Sequence, residues 1–223
     1  MKAKIFGLAA VAAMVALAPQ ASATQLLVNG GFENFQITSS YYNIGSEPGT
    51  NGGGPDNPVP ADFGWTVSNG NVDIVSYQPG AYGPAPTNGG SYGLDLVGYG
   101  STGEISQTFN TTAGVTYDVS FVYKSNPGVI DPTANVLLDG NSIGSVTGGT
   151  GWQTFTYSFV GTGGVETFAI NETYGYNNGG VFLDNASISP VPELSTWAMM
   201  LAGFAALGFA GYRRTKATAF LRT

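Results

Sequence analysis

"TYDVSFVYK" (residues 116–124) decides the fold class. In an extended chain, Tyr117, Val119, Phe121 and Tyr123 fall on one side, with Asp118, Ser120 and Lys124 on the other. Strict period-two alternation is the mark of a strand that buries one face. "WQTFTYSFV" (152–160) repeats it, setting Phe155, Tyr157 and Phe159 against Thr154, Thr156 and Ser158. In "NVLLDGNSIGSV" (135–146), Asp139-Gly140 sits between two apolar runs, which signals a hairpin. "GEISQTF", "ETFAI" and "GVFLDNASI" are further strand candidates, and no long 3.6-period segment lies between the chain's two ends. Short strands punctuated by turn residues predict an all-β jelly-roll β-sandwich over residues 24–190. Trp65 and Trp152 lie in strand-like segments and are assigned to its core.

Two stretches break the pattern. "YYNIGSEPGTNGGGPDNPVPAD" (41–62) and "YQPGAYGPAPTNGGSYG" (77–93) are Gly, Pro and Asn with little to bury, and they predict long loops. No internal repeat is visible, so one domain with two elaborated loops is expected.

Composition closes off several chemistries. The 223 residues include no Cys and no His. A Ser-His-Asp triad, thiolate chemistry and ordinary zinc sites are therefore excluded. A metal would have to be a hard, oxygen-liganded cation, with Ca²⁺ first in line. Between Thr24 and Pro192 thirteen acids face one lysine, Lys124, for a formal charge of −12. Such a surface repels nucleic acid, so no nucleic-acid partner is expected. A glycosidase needs two carboxylates flanking a bond, but no motif places two of the thirteen in a cleft, so no enzymatic activity is expected.

Both ends read as addresses. Residues 1–23 join Lys2 and Lys4 to an apolar core and to Ala21-Ser22-Ala23, which fits the small-x-small cleavage rule of a signal peptide, with Ala21 and Ala23 as the cleavage determinants. From Leu194 to Tyr212 there is no charge, and Arg213, Arg214 and Lys216 follow. That length predicts a transmembrane helix over 194–212, with Trp197 and Tyr212 at its edges and the basic tail in the cytoplasm.

Val191-Pro192-Glu193-x-x-x-Trp197-Ala198, an apolar run and then Arg213-Arg214 resemble the PEP-CTERM sorting signal in its Trp-Ala variant. The resemblance covers about the last 33 residues and departs from the family at Leu194, where Pro is usual. It implies export through the inner membrane of a Gram-negative bacterium by way of signal peptidase. A transient membrane stage and cleavage near Pro192-Glu193 by an exosortase-type membrane protease would follow. The mature form would lie at the cell surface or in the extracellular matrix. A permanent single-span anchor is the alternative.

The middle carries a second resemblance. "LLVNGGFE" (26–33), "FGWTV", "SYGLDLVG", "GEISQTFNTTAGVTYDVSF", "GWQTFTYSFVG" and "GVFLDNASIS" come in the order of a galactose-binding-like jelly roll. They are similar to the secreted domains grouped as a domain of unknown function (DUF642 type) and to carbohydrate-binding modules. The resemblance implies sugar association and one structural Ca²⁺ joining the first and last strands. Glu33 and Asp184 lie in the matching segments at opposite ends of the domain, and a backbone carbonyl near Asn29 would complete the shell. The alternative for the two acids is separate surface carboxylates satisfied by backbone N–H groups. For the sugar, loop aromatics and an amide are the candidates, because a flat ring stacks on a pyranose face. These are Tyr82, Tyr99, Tyr174, Tyr176 and Asn177, with turn packing as the competing role. The expected function is an exported, surface-sorted, non-catalytic protein that binds exopolysaccharide or cell-surface glycan. The alternative is a matrix or adhesion protein acting through Ca²⁺ and its acidic surface.

Overall fold

Alternation along residues 116–124 becomes a ten-residue strand in the computed structural model, which describes residues 24–34, 36–45, 57–77, 82–175, 178–191 and 200–209. The strands among these residues are β1 (Tyr41–Gly45), β2 (Thr66–Asn69), β3 (Asn71–Ser76), β4 (Tyr92–Asp95), β5 (Val97–Gly98), β6 (Ser101–Thr102) and β7 (Glu104–Asn110). They continue as β8 (Thr116–Ser125), β9 (Thr133–Leu138), β10 (Asn141–Thr147), β11 (Gln153–Val160), β12 (Val165–Tyr174) and β13 (Val181–Pro190). Six form one sheet in the order β1-β3-β4-β13-β8-β11, five form the other in the order β10-β9-β12-β7-β2, and β5 with β6 makes a short hairpin. From β7 onward the chain passes back and forth between the two sheets, and all named pairings are antiparallel. This is a jelly-roll β-sandwich.

Side-chain alternation explains the layers. Tyr117, Val119 and Phe121 of β8 point into the sandwich with Val181, Leu183 and Ile188 of β13. Phe109, Phe168 and Ile170 meet them from the other sheet. Phe121 pairs with Phe155 across β8–β11 and stacks on it at 5.0 Å. Trp65 is buried, 5.9 Å from the Phe32 ring and 6.4 Å from that of Phe168. Tyr157 remains partly exposed because β11 is the edge of its sheet. Asp139 and Gly140, at φ 50° and 75°, make the tight turn between β9 and β10. Positive φ at both central positions is what such a turn requires.

Three expectations are corrected. Tyr41–Gly45 is a strand, not the start of a loop: it pairs with β3 along its whole length and buries Ile44. Tyr92 and Gly93 likewise belong to β4. Trp152 is not in the core; it precedes β11 at the surface and is only half-buried. Residues 46–56 of the first long stretch lie outside the described residues.

Thr24–Val191 is one compact unit. Its first residues lie along β13: the Leu26 N–H donates to Ile188 O at 2.8 Å, and the Gln25 side chain bonds both Ala186 O and Ile188 N–H. Separately, residues 200–209 form an exposed helix. Among the described residues no helix is long and apolar enough to cross a membrane. Pro192, Glu193, Trp197, Ala198, Arg213, Arg214, Ala21 and Ala23 lie outside the described residues.

Candidate functional site

Glu33 and Asp184 are brought together. "VNGGFE" turns sharply, with Asn29 at φ 53° and the Phe32 N–H donating to Asn29 O. Gly30 packs against β13, where a Cβ would strike Ala186 O. On β13 the register shifts between Asp184 and Ser187, and Asn185 takes φ 54°. A bulge re-aims the side chains beside it. A Cβ at Gly31 would stand 3.8 Å from Asp184 Oδ1 and 3.9 Å from Glu33 Cγ, while one at Gly90 would strike Glu33 Oε1 and one at Gly89 would stand 2.7 Å from Asp184 Oδ2, so the two side chains run side by side. Glu33 Oε1 accepts the Ser91 and Tyr92 N–H groups at 2.8 and 2.7 Å. Asp184 is fully buried; Oδ1 accepts the Asn185 N–H at 2.6 Å and Oδ2 the Tyr77 hydroxyl at 3.3 Å. Burial pushes Asp184 up to about 7; its hydrogen bonds oppose this and the Glu33 charge adds to it. Asn29 is engaged elsewhere, because its carbonyl accepts the Trp65 indole N–H at 3.1 Å and its side chain bonds Phe63 O.

A second constellation crosses the outer face of the six-stranded sheet. Register places Asn43 of β1 opposite Asp73 of β3, Asp73 opposite Asp95 of β4, Asp95 opposite Phe182 of β13, and Phe182 opposite Lys124 of β8. All five are buried, although this face looks away from the core. Asn43 Nδ2 donates to Asp73 at 2.6 Å. Asp95 accepts the Val97 and Gly180 N–H groups at 3.0 and 2.9 Å and Asn126 Nδ2 at 2.7 Å. Burial raises Asp73 to about 6 against the Asn43 hydrogen bond, and it holds Asp95 well above the carboxylate range.

Tyrosines border this row. Tyr82 packs on Phe182 at 5.7 Å, its hydroxyl bonds Ser40, and both aspartates push its ionisation up after burial itself. Tyr99 turns the β5–β6 hairpin, and its carbonyl accepts Asn71 Nδ2 at 3.0 Å. The adjoining Gly100 N–H donates to Asn178 Oδ1, tying that hairpin to the loop after Tyr174. Tyr41, Tyr99 and Tyr174 are exposed. The structure therefore sets Tyr82 and Tyr99 beside one row of polar side chains and links the Tyr174 loop to it. Tyr176 and Asn177 lie outside the described residues.

Lys124, expected on a solvated face, is covered. Its Nζ donates to Tyr82 O at 2.9 Å and lies 4.7 Å from the Trp152 ring centroid. Burial lowers its pKa. The Trp152 indole N–H donates to Pro84 O at 3.1 Å. Lys124 and Trp152 together fasten the 82–91 loop onto the sheet. Asn43, Asn71, Asp73 and Asp95 escaped the sequence reading. "NVDIV" (71–75) does carry a signal, since Val72 and Ile74 alternate with Asn71 and Asp73, but the partner acid is twenty-two residues away.

Residues 25–185 match the family model described as Protein of unknown function (DUF642). The chain belongs to this family. No curated protein matches it. Among solved structures, a family 61 carbohydrate-binding module in complex with β-1,4-galactotriose aligns with TM-score 0.47 and 18% identity, over 75% of this chain and 99% of that one. The CBM22-1 xylan-binding domain from Paenibacillus barcinonensis aligns with TM-score 0.40 and 14% identity, over 67% and 92%. A family 35 carbohydrate-binding module from Clostridium thermocellum aligns with TM-score 0.39 and 15% identity, over 67% and 98%. Assignment of this DUF642 domain to the jelly rolls rests on its own strand order.

Proposed function

We propose that this DUF642 domain is a non-catalytic glycan-binding module that takes its ligand along the outer face of the six-stranded sheet. The observation that carries this reading is the group of tyrosines Tyr41, Tyr82 and Tyr99 along this face, of which Tyr41 and Tyr99 are exposed. Tyrosine rings cover pyranose faces, and their hydroxyls exchange hydrogen bonds with sugar hydroxyls. The test is a glycan array followed by calorimetry on the full chain, with Tyr82→Ala and Tyr99→Ala. Saturable binding weakened about tenfold or more by each variant is expected, as for a lost stacking contact of roughly 1.4 kcal/mol. No saturable binding to any glycan, with or without calcium, would overturn the proposal.

We propose a Ca²⁺ between Glu33 and Asp184, because their carboxylate oxygens approach neighbouring glycines, Gly90 and Gly89, and the two acids otherwise repel. Such an ion would tie the first turn of the domain to its last strand. A lower melting temperature in EDTA, by a margin that Asp184→Asn narrows, is expected; the same EDTA shift in wild type and Asp184→Asn would refute the tie. We further propose export and surface sorting, on the signal-peptide pattern at 1–23 and the Pro192-Glu193…Trp197-Ala198 motif. Mass spectrometry of the mature chain tests this: an intact Thr223 would show that Pro192-Glu193 is not a processing site.

A further inference from the structure

Asp73 and Asp95 face each other across β3 and β4, and like charges directly opposite on a sheet are destabilising. Every group described on them is a neutral donor: Asn43 Nδ2 on Asp73, and Val97 N–H, Gly180 N–H and Asn126 Nδ2 on Asp95. Lys124, the domain's single basic residue, is one strand beyond Phe182 and bonds Tyr82 O instead.

Two more oxygens at this spot are buried without a hydrogen-bond partner: Asn43 Oδ1 and Asn71 Oδ1. Asn43 is 5% exposed and Asn71 0%. The two amides converge, since a Cβ at Gly98 would strike both Asn43 Nδ2 and Asn71 Oδ1, and that same Asn43 nitrogen touches Asp73. A buried acceptor left unsatisfied bears the full cost of its lost hydration. A water could satisfy the amides, and a proton that burial keeps on Asp95 could quiet the carboxylates, but these are two separate remedies. A cation answers both problems.

We propose that Asp73, Asp95, Asn43 and Asn71 hold a divalent cation, Ca²⁺, on the outer face of the six-stranded sheet, separate from the Glu33–Asp184 pair. Mixed carboxylate and amide oxygens, supplied by three different strands, suit the irregular coordination that Ca²⁺ accepts and Mg²⁺ does not. Gly98 is part of the site, because any side chain there would displace the amides. The proposal does not depend on glycan binding.

The test is Ca²⁺ titration of the full chain, by calorimetry and by Tb³⁺ luminescence, on wild type, Asp73→Asn, Asp184→Asn and the double variant. Asp73→Asn should remove one equivalent of Ca²⁺ that Asp184→Asn leaves in place. If Glu33–Asp184 binds nothing, wild type shows one equivalent and Asp73→Asn none, so the two sites fail separately. Melting gives a second readout. In EDTA, Asp73→Asn should melt above wild type, because it removes the repulsion; in millimolar Ca²⁺ the order should reverse. Asn71→Ala, which keeps both charges, should weaken the same equivalent about tenfold, the loss of one neutral ligand worth about 1.4 kcal/mol. Unchanged stoichiometry and affinity in Asp73→Asn, or Asp73→Asn melting above wild type at every Ca²⁺ concentration, would overturn the proposal.

Discussion

Glu172 shows how much one side chain can set the domain's response to pH. It is buried near the end of β12; Oε2 accepts the Val181 N–H at 3.2 Å, and Oε1 is buried without a partner. Burial pushes it up to about 9, with the Asp95 charge adding to the effect and the Val181 bond opposing it. The folded state therefore keeps a proton that the unfolded chain loses near pH 4.5. Its contribution to stability falls as pH rises from about 4.5 toward 9, then levels off. Glu172→Gln should flatten this slope and raise stability at pH 8 by on the order of 2 kcal/mol. Urea melts at pH 5, 7 and 9 would check it, and an unchanged slope would contradict the assignment. The sequence hides this residue: in "ETFAINETY" (166–174) the run around Phe168 and Ile170 marks a strand, but nothing local tells that Glu172 is enclosed. Its cover comes from Gly175 and Gly180, where an added Cβ would press on Oε1.

Among elements, residues 82–91 are the loop that their Gly and Pro content predicts, and sequence and structure part at β1, at Tyr92–Gly93 and at Trp152. β8, β11 and the Asp139-Gly140 hairpin were legible because their signals are local: alternation over eight to ten residues, and one turn that demands positive φ. β1 was not, because only Tyr42 and Ile44 alternate before the Gly- and Pro-rich run begins. Trp152 misled for a physical reason. An indole beside a strand is core by habit, but here its N–H needs a partner and finds it at Pro84 O. The convergence of Glu33 and Asp184 rested on family likeness; the Asp73–Asp95 pair required the β3–β4 register. Trp152→Phe keeps the ring over Lys124 and deletes that hydrogen bond. Global stability should change by less than about 1 kcal/mol, within the range for one exposed bond. Amide exchange in residues 82–91 should quicken several-fold, and exchange equal to wild type would show that Lys124 alone pins the loop.

At the scale of the whole molecule, charge dominates. Residues 24–190 have a formal charge of −12; burial keeps protons on Glu172 and Asp95, but the only lysine is covered, so no described basic side chain offsets the remaining acids. Self-repulsion on this scale weakens the folded state and is screened by salt. The melting temperature at pH 8 in EDTA should rise by a few degrees between about 10 mM and 0.5 M KCl, as the Debye length falls from roughly 30 Å toward 4 Å. A flat response would mean the acids are already neutralised by protons in the fold. The pairing of Gln25 and Leu26 with Ala186 and Ile188 has a topological consequence. The two termini of the sandwich meet along one strand, so a short peptide could join them into a ring. That ring could be reopened at the β9–β10 turn, giving a circular permutant in which every sheet hydrogen bond is retained. The same adjacency makes the domain a natural insert: it can enter a loop of another protein, or leave one, while its host's flanking residues stay side by side.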